Sequence, residues 1–190
     1  MALCFTHATA GYLVYEAVRP AGPHRPLLLA ASVLLANAPD LDFLPGLVIG
    51  EPAAFHRGPT HSLAGVALVV VVATALGWRR PFGRGPAWWA GFAAAAYGAH
   101  LVVDFLTVDA RAPYGAPFFW PLSDRFHHSG LALFGEIVID PSGRLAFMRS
   151  LLTPLAMTVW LREVAFATLV VAAVTLVRAL ARSRLPRFAE

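Results

Sequence analysis

Five apolar segments recur along the chain with few charges inside them, and this repetition limits what it can fold into. They run from about Ala2 to Val18, Leu27 to Leu44, Ser62 to Trp78, Ala87 to Val108, and Val164 to Leu180. A soluble domain is about 45–50% apolar and about 25% charged. Here 58% of residues are hydrophobic and only 14% charged, and the excess is spread over the whole length. Lipid is the natural cover for so much apolar surface, and inside lipid only a helix or a closed barrel satisfies its own backbone. The expected fold is therefore all-α. It is an integral membrane helical bundle of about five transmembrane or partly embedded helices, forming a single domain over residues 1–190. Several segments fall short of the roughly 20 residues a crossing helix needs, so tilt or re-entry is expected for the first two.

The N-terminal "MALCFTHATAGYLVYEAVRP" has no basic leader region and no clear small-residue cleavage site, and reads as a retained first helix. Cys4 is the single cysteine, which excludes an intramolecular disulfide and a thiolate metal cluster. Residues 109–163 are rich in aromatics, proline and glycine. Within them "PYGAPFFWPLSDRFHHSG" reads as an interfacial loop and "FMRSLLTPLAMTVWLRE" as a surface-lying helix. Residues 164–190 supply the last transmembrane helix and a basic tail.

The net charge of +4 is carried by arginine alone. Arg19 and Arg25 follow segment one, Arg79, Arg80 and Arg84 follow segment three, and Arg178, Arg182, Arg184 and Arg187 follow segment five. The positive-inside rule then places the N-terminus outside and the C-terminus in the cytoplasm of a bacterial inner membrane. The basic tail is expected to meet anionic headgroups, with no nucleic-acid partner.

On that topology the ionisable side chains gather at the outer face. His7 opens segment one, Asp40 and Asp42 close segment two, His56 and His61 precede segment three, and His100 and Asp104 end segment four. Such groups are costly in a membrane and face a bundle interior or a wet cavity. His100 and Asp104 stand at i,i+4 on one helical face, with Tyr97 and Thr107 on the same stripe. Either both bind a metal, or Asp104 orients His100 from behind. In "NAPDLDFLPG", one carboxylate of Asp40-x-Asp42 ligates in an extended turn while the other bridges or orients. His56 and His61, both candidate metal ligands, stand five apart and require a loop, which Gly58 and Pro59 supply, with Thr60 or Ser62 capping the next helix. Arg57 is placed to hold an anion such as phosphate. Imidazole and carboxylate without thiolate suit Zn2+, and also Mn2+ or Fe2+. His127 and His128, with Glu16, Glu51, Glu136 and Glu163, read as solvated or interfacial.

"THATAG", "PDLD", "HRGPTHS", and "HLVVDFLT" followed by "PFFWPLS" resemble the motif series of the YdjM-like family of predicted membrane-bound metal-dependent hydrolases. The resemblance covers about Thr6 to Ser123, the motif-bearing core of residues 1–123. That family is distantly similar to zinc-dependent phospholipase C and the single-strand nuclease group. The similarity implies His7, Asp40 or Asp42, His61, His100 and Asp104 as metal ligands. No HxxxE helix follows to complete a third zinc position, so one or two ions are expected. The expected activity is hydrolysis of a phosphoester or lipid-type substrate by metal-activated water at the extracytoplasmic face. Asp42 or Asp104 would serve as general base and Arg57 would steady the developing charge, with membrane lipids as surroundings and as candidate substrate. The competing expectation is a non-catalytic membrane protein or transporter with a structural or transported metal.

Overall fold

A computed structural model describes residues 4–19, 23–107, 109, 112–131 and 133–183. Arg111 and the tail arginines Arg184 and Arg187 lie outside the described residues, as does the side chain of Arg182. All regular elements are helical: α1 (Cys4–Val18), α2 (Arg25–Asn37), α3 (Phe43–Ile49), α4 (Leu63–Gly77), α5 (Pro86–Phe105), α6 (Arg144–Ser150) and α7 (Pro154–Ser183). No strand occurs among the described residues.

α5 is the central pillar, packed by α1, α2 and α4. α1 and α2 approach closely because Gly11 presents no side chain. A Cβ there would lie 2.7 Å from the Ser32 carbonyl oxygen and 2.9 Å from the Val33 Cα. Ser32 Oγ donates to the Gly11 carbonyl at 2.7 Å, which satisfies that buried hydroxyl.

α2 ends at Asn37, ahead of Pro39, and a 3-10 turn over Ala38–Asp42 leads directly into α3. Ala38 keeps helical angles, but Pro39 has no N–H to donate to the Leu35 carbonyl, so the α-helical ladder breaks there and tightens to 3-10 geometry in place of the extended turn expected around the two aspartates. A second 3-10 turn, Pro59–His61, precedes α4. Ser62 caps α4 by accepting from Gly65 N at 3.2 Å. Thr60, the other expected cap, instead turns its hydroxyl to Asp42 at 2.9 Å.

α7 runs in the same direction as α1, which it contacts through polar ties at two levels. Glu163 accepts from Thr6 N at 3.2 Å, and Arg178 pairs with Glu16. Neither glutamate is solvated as the sequence reading expected. Glu163 is buried at 5%, and the Glu16 side chain is 9% exposed and also meets Arg19 at 3.4 Å. Between these ties α7 presents Leu169, Leu176 and Val177 outward, each more than half exposed. An apolar helix with so little protein cover is suited to lipid.

Two helices are long and apolar enough to cross a membrane, Arg25–Ile49 and Pro154–Ala181, fewer than the five expected. α1 and α4 stop at 15 residues each, about 22 Å of helix against a hydrocarbon core of about 30 Å. The surface-lying helix expected over 147–163 is also revised. α6 ends at Ser150, and from Pro154 onward the remainder is continuous with α7. Residues 112–131 form the expected irregular loop, pinned to the bundle where Leu63 N donates to the Phe118 carbonyl at 2.8 Å.

Candidate metal centre

Four helix ends meet at one end of the bundle: the start of α1, the turn after α2, the turn before α4, and the last turns of α5. His7, Asp40, Asp42, His56, His61, His100 and Asp104 all lie there, although they span about half the sequence. His7, His61 and His100 are fully buried, and Asp104 is 5% exposed.

The tautomer of His100 follows from its surroundings. Its Nδ1 lies 2.8 Å from the Ala36 carbonyl, which only accepts, so Nδ1 carries the proton and Nε2 offers a lone pair. His61 is held the same way. Its Nδ1 faces Asp42 Oδ2 at 3.2 Å, and Thr60 donates to that same oxygen, leaving His61 Nε2 free. The two Nε2 atoms face each other at 3.2 Å. Asp40 Oδ1 lies 3.4 Å from His61 Nε2 and 3.7 Å from His100 Nε2, while Asp104 Oδ2 lies 3.5 and 3.4 Å from the same pair.

These separations suit a metal. Ligands at 2.0–2.1 Å in a tetrahedron stand about 3.4 Å apart. The remaining oxygens of both carboxylates turn toward His7, whose Nε2 is 3.5 Å from Asp104 Oδ1 and 3.9 Å from Asp40 Oδ2. The His7 ring stacks on His100 with centroids 3.7 Å apart. Both His7 nitrogens, Asp40 Oδ1 and both Asp104 oxygens are buried without a hydrogen-bond partner among the described residues. Ligand-type atoms fall within 4.8 Å of one another in two triads, His7–His100–Asp104 and Asp40–His56–His61. Buried polar groups left unpaired are expensive, and so many acceptors facing one another call for a cation. The donor set fits the divalent metal that the motif series implies.

Asp42 is placed differently. Oδ1 meets His56 Nδ1 at 3.1 Å, while Oδ2 accepts from Arg57 N at 3.2 Å and Thr60 Oγ1 at 2.9 Å besides facing His61 Nδ1. Both of its oxygens are thus engaged by donors that orient the 56–61 loop. Tyr97 fastens the same loop to α5, its hydroxyl donating to the Thr60 carbonyl at 2.8 Å.

His56 stacks on Phe43 at 3.9 Å and keeps Nε2 buried and unpartnered. Burial pushes its pKa below the ordinary value, despite the hydrogen bond to Asp42. Burial acts the same way on His61, but Asp40 and Asp42 outweigh it and raise His61 to about 9 in the metal-free protein. A cavity of about 220 Å³ is lined by His56, Arg57, Asp109, Phe126 and Glu136.

The Arg57 guanidinium pairs with Asp109 and donates to the Gly115 carbonyl at 3.2 Å, so the expected anion holder already has a carboxylate partner. Asp109, which also accepts from Gly115 N, was missed in the sequence. It lies just past the HxxxD motif in "LTVDARAPYG", and its partner is 52 positions away. His127 and His128 sit in the aromatic loop apart from this cluster, with His127 packed on Phe119 and His128 Nδ1 on the Ser129 carbonyl.

No curated protein and no solved structure matches the chain. The sequence model of the YdjM inner membrane protein family matches residues 1–185, nearly the whole length. With that span of agreement, and with lipid-suited helices carrying it, the chain belongs to the YdjM inner membrane protein family.

Proposed function

We propose that this protein is a membrane-embedded metal-dependent hydrolase acting on a phosphoester or lipid-type substrate at the extracytoplasmic face. The observation that carries the reading is the set of four acceptor atoms on His61, His100, Asp40 and Asp104, with each histidine nitrogen 3.2 to 3.7 Å from the other and from both carboxylates. His61, His100, Asp40 and Asp104 would hold one ion, and His7 with the outward oxygens of Asp40 and Asp104 would provide for a second. A divalent cation such as Zn2+ held there lowers the pKa of coordinated water toward neutrality and polarises a phosphoryl or acyl oxygen.

The protein's own residues supply the rest. Asp42 fixes the His61 and His56 rings through their Nδ1 atoms, a positioning task in place of the base role expected from sequence. His56 Nε2, unprotonated and unpartnered, takes the proton from the attacking water. Arg57, held by Asp109 at the cavity wall, presents its cationic edge to an anionic substrate group. Phe43, stacked on the His56 ring, and Phe126, in the wall of the same cavity, limit water there.

The complete burial of His7, His61 and His100 also favours a second reading, a structural or stored metal without turnover. Purified protein assayed on phosphoester and carboxylic-ester lipids, with and without chelator, separates the two. Chelator-sensitive hydrolysis that disappears in His56→Gln with metal retained supports the enzyme. Bound metal with no hydrolysis of either ester class supports the structural reading.

A further inference from the structure

A furrow of about 550 Å³ runs along the bundle between α2 and α4, within the size range of ligand sites. Leu34 and Leu41 form one wall and Val72 and Leu76 the other, all more than half exposed to the surroundings. Both walls rest on α5, whose Trp89 and Ala93 form the floor. Trp89, Ala93, Tyr97, His100 and Asp104 repeat at three- and four-residue intervals, so the floor of the furrow and the metal cluster share one face of α5. The larger apolar groove of about 1010 Å³, lined by Gly98 and Val102, occupies the opposite face of that helix.

The furrow ends at Asn37, Ala38 and Leu41, around the turn that carries Asp40. The Asp40 side chain is the most accessible in the cluster, at 15% against 0 to 3% for the side chains of His7, His61, His100 and Asp104. Asn37 Nδ2 donates to the Val33 carbonyl at 2.8 Å, which fixes the amide orientation and leaves Oδ1 buried without a donor. From Trp89 to His100 the α5 axis rises about 16 Å, close to half of the roughly 30 Å hydrocarbon core.

Resting on the hydrolase reading above, we infer that the α2/α4 furrow holds one acyl chain of a membrane lipid substrate and brings its ester end to the Asp40 edge of the metal centre. The apolar walls take the chain from the bilayer sideways. Asn37 Oδ1, at the polar end, accepts from a hydroxyl or amide N–H of the lipid. The rise of about 16 Å from its Trp89 floor to His100 matches one leaflet chain, and the buried Asn37 acceptor at its end near the cluster calls for a polar donor there.

The test is photo-crosslinking in dilute detergent with an equimolar phosphatidylglycerol probe bearing a diazirine midway along one acyl chain. Labelled peptides are mapped, and bound metal is measured on the same sample. The inference expects labels on the α2 and α4 walls that are lost in Ala73→Trp and in Ala31→Phe. Sparse labels on α7 persist, and the metal content of both variants is unchanged, which reports an intact cluster. Even labelling of all apolar surfaces, furrow labelling undiminished in both variants, or chain-to-chain crosslinks across the furrow overturns it. Absence of metal in the wild type counts against the hydrolase reading alone, because the furrow is read by a separate signal.

Discussion

The Nε2 atoms of His61 and His100 face each other at 3.2 Å, each with its Nδ1 engaged behind it. Two neutral imidazoles in this pose oppose their lone pairs, with Asp40 and Asp104 adding carboxylate oxygens. Only a cation or added protons make the arrangement stable.

Asp42→Asn weakens metal binding without abolishing it. The new amide N–H faces groups that themselves donate to Oδ1 or Oδ2, so His61 loses its fixed orientation. Loss of such an orienting partner reduces metal affinity about 10–100-fold. Competition with a metal indicator dye reads this shift, and unchanged affinity would remove Asp42 from the account.

In the metal-free protein, stability depends on His61. Its folded pKa of about 9 lies above the ordinary 6.5, so its contribution is fully present below pH 6.5 and is lost as pH rises through about 9. His56, with a depressed pKa, acts in the opposite sense, but below pH 6.5. Thermal melts of chelator-treated protein should therefore fall between pH 6.5 and 9, and the decline should disappear in His61→Gln. A flat or rising profile in the parent would contradict this.

Gly11→Val separates α1 from α2. Its Cβ would meet backbone atoms of Ser32 and Val33 under 3.0 Å, and neither can move without its helix. Overpacking of this kind costs about 1–3 kcal/mol. Because α1 carries His7, the variant should lose thermal stability together with His7-dependent metal binding. Retention of both would show that the seam is looser than described.

Arg178 and Glu16 form a cross-helix pair at the end opposite the metal centre. Arg178→Leu leaves the Glu16 carboxylate nearly buried with Arg19 as its remaining cationic partner among the described residues, so it should destabilise more than Arg178→Leu with Glu16→Gln. A double-mutant cycle on denaturation midpoints measures the coupling. Additive effects would mean that the pair does not tie α7 to α1.

The polar loop of residues 56–61, the helix break at PDLD (though not its 3-10 geometry) and the His100/Asp104 stripe were legible in sequence because local rules govern them. Spacing sets a helical face, and proline and glycine set turns. The gathering of His7 with these motifs followed from counting helix ends along an alternating topology. The pairing of Arg57 with Asp109, the capping of Thr6 N by Glu163, and the engagement of both Asp42 oxygens were not legible. Each depends on a contact between distant segments, which periodicity does not encode. The five-span expectation failed at α1 and α4 because apolarity along the chain reports burial in lipid or protein alike, whereas helix length depends on where the turns that carry ligands intervene, and at α5, which is long enough at 20 residues, because Tyr97, His100 and Asp104 lower its apolarity.

The central claim is that His61 and His100 share a metal ion. Elemental analysis of detergent-purified wild type, His61→Ala and His100→Ala, each checked for a monodisperse folded state, tests it most directly. The account predicts stoichiometric divalent metal in the wild type and its loss in both variants. A folded wild type without metal, or variants that retain the wild-type metal content, would contradict it.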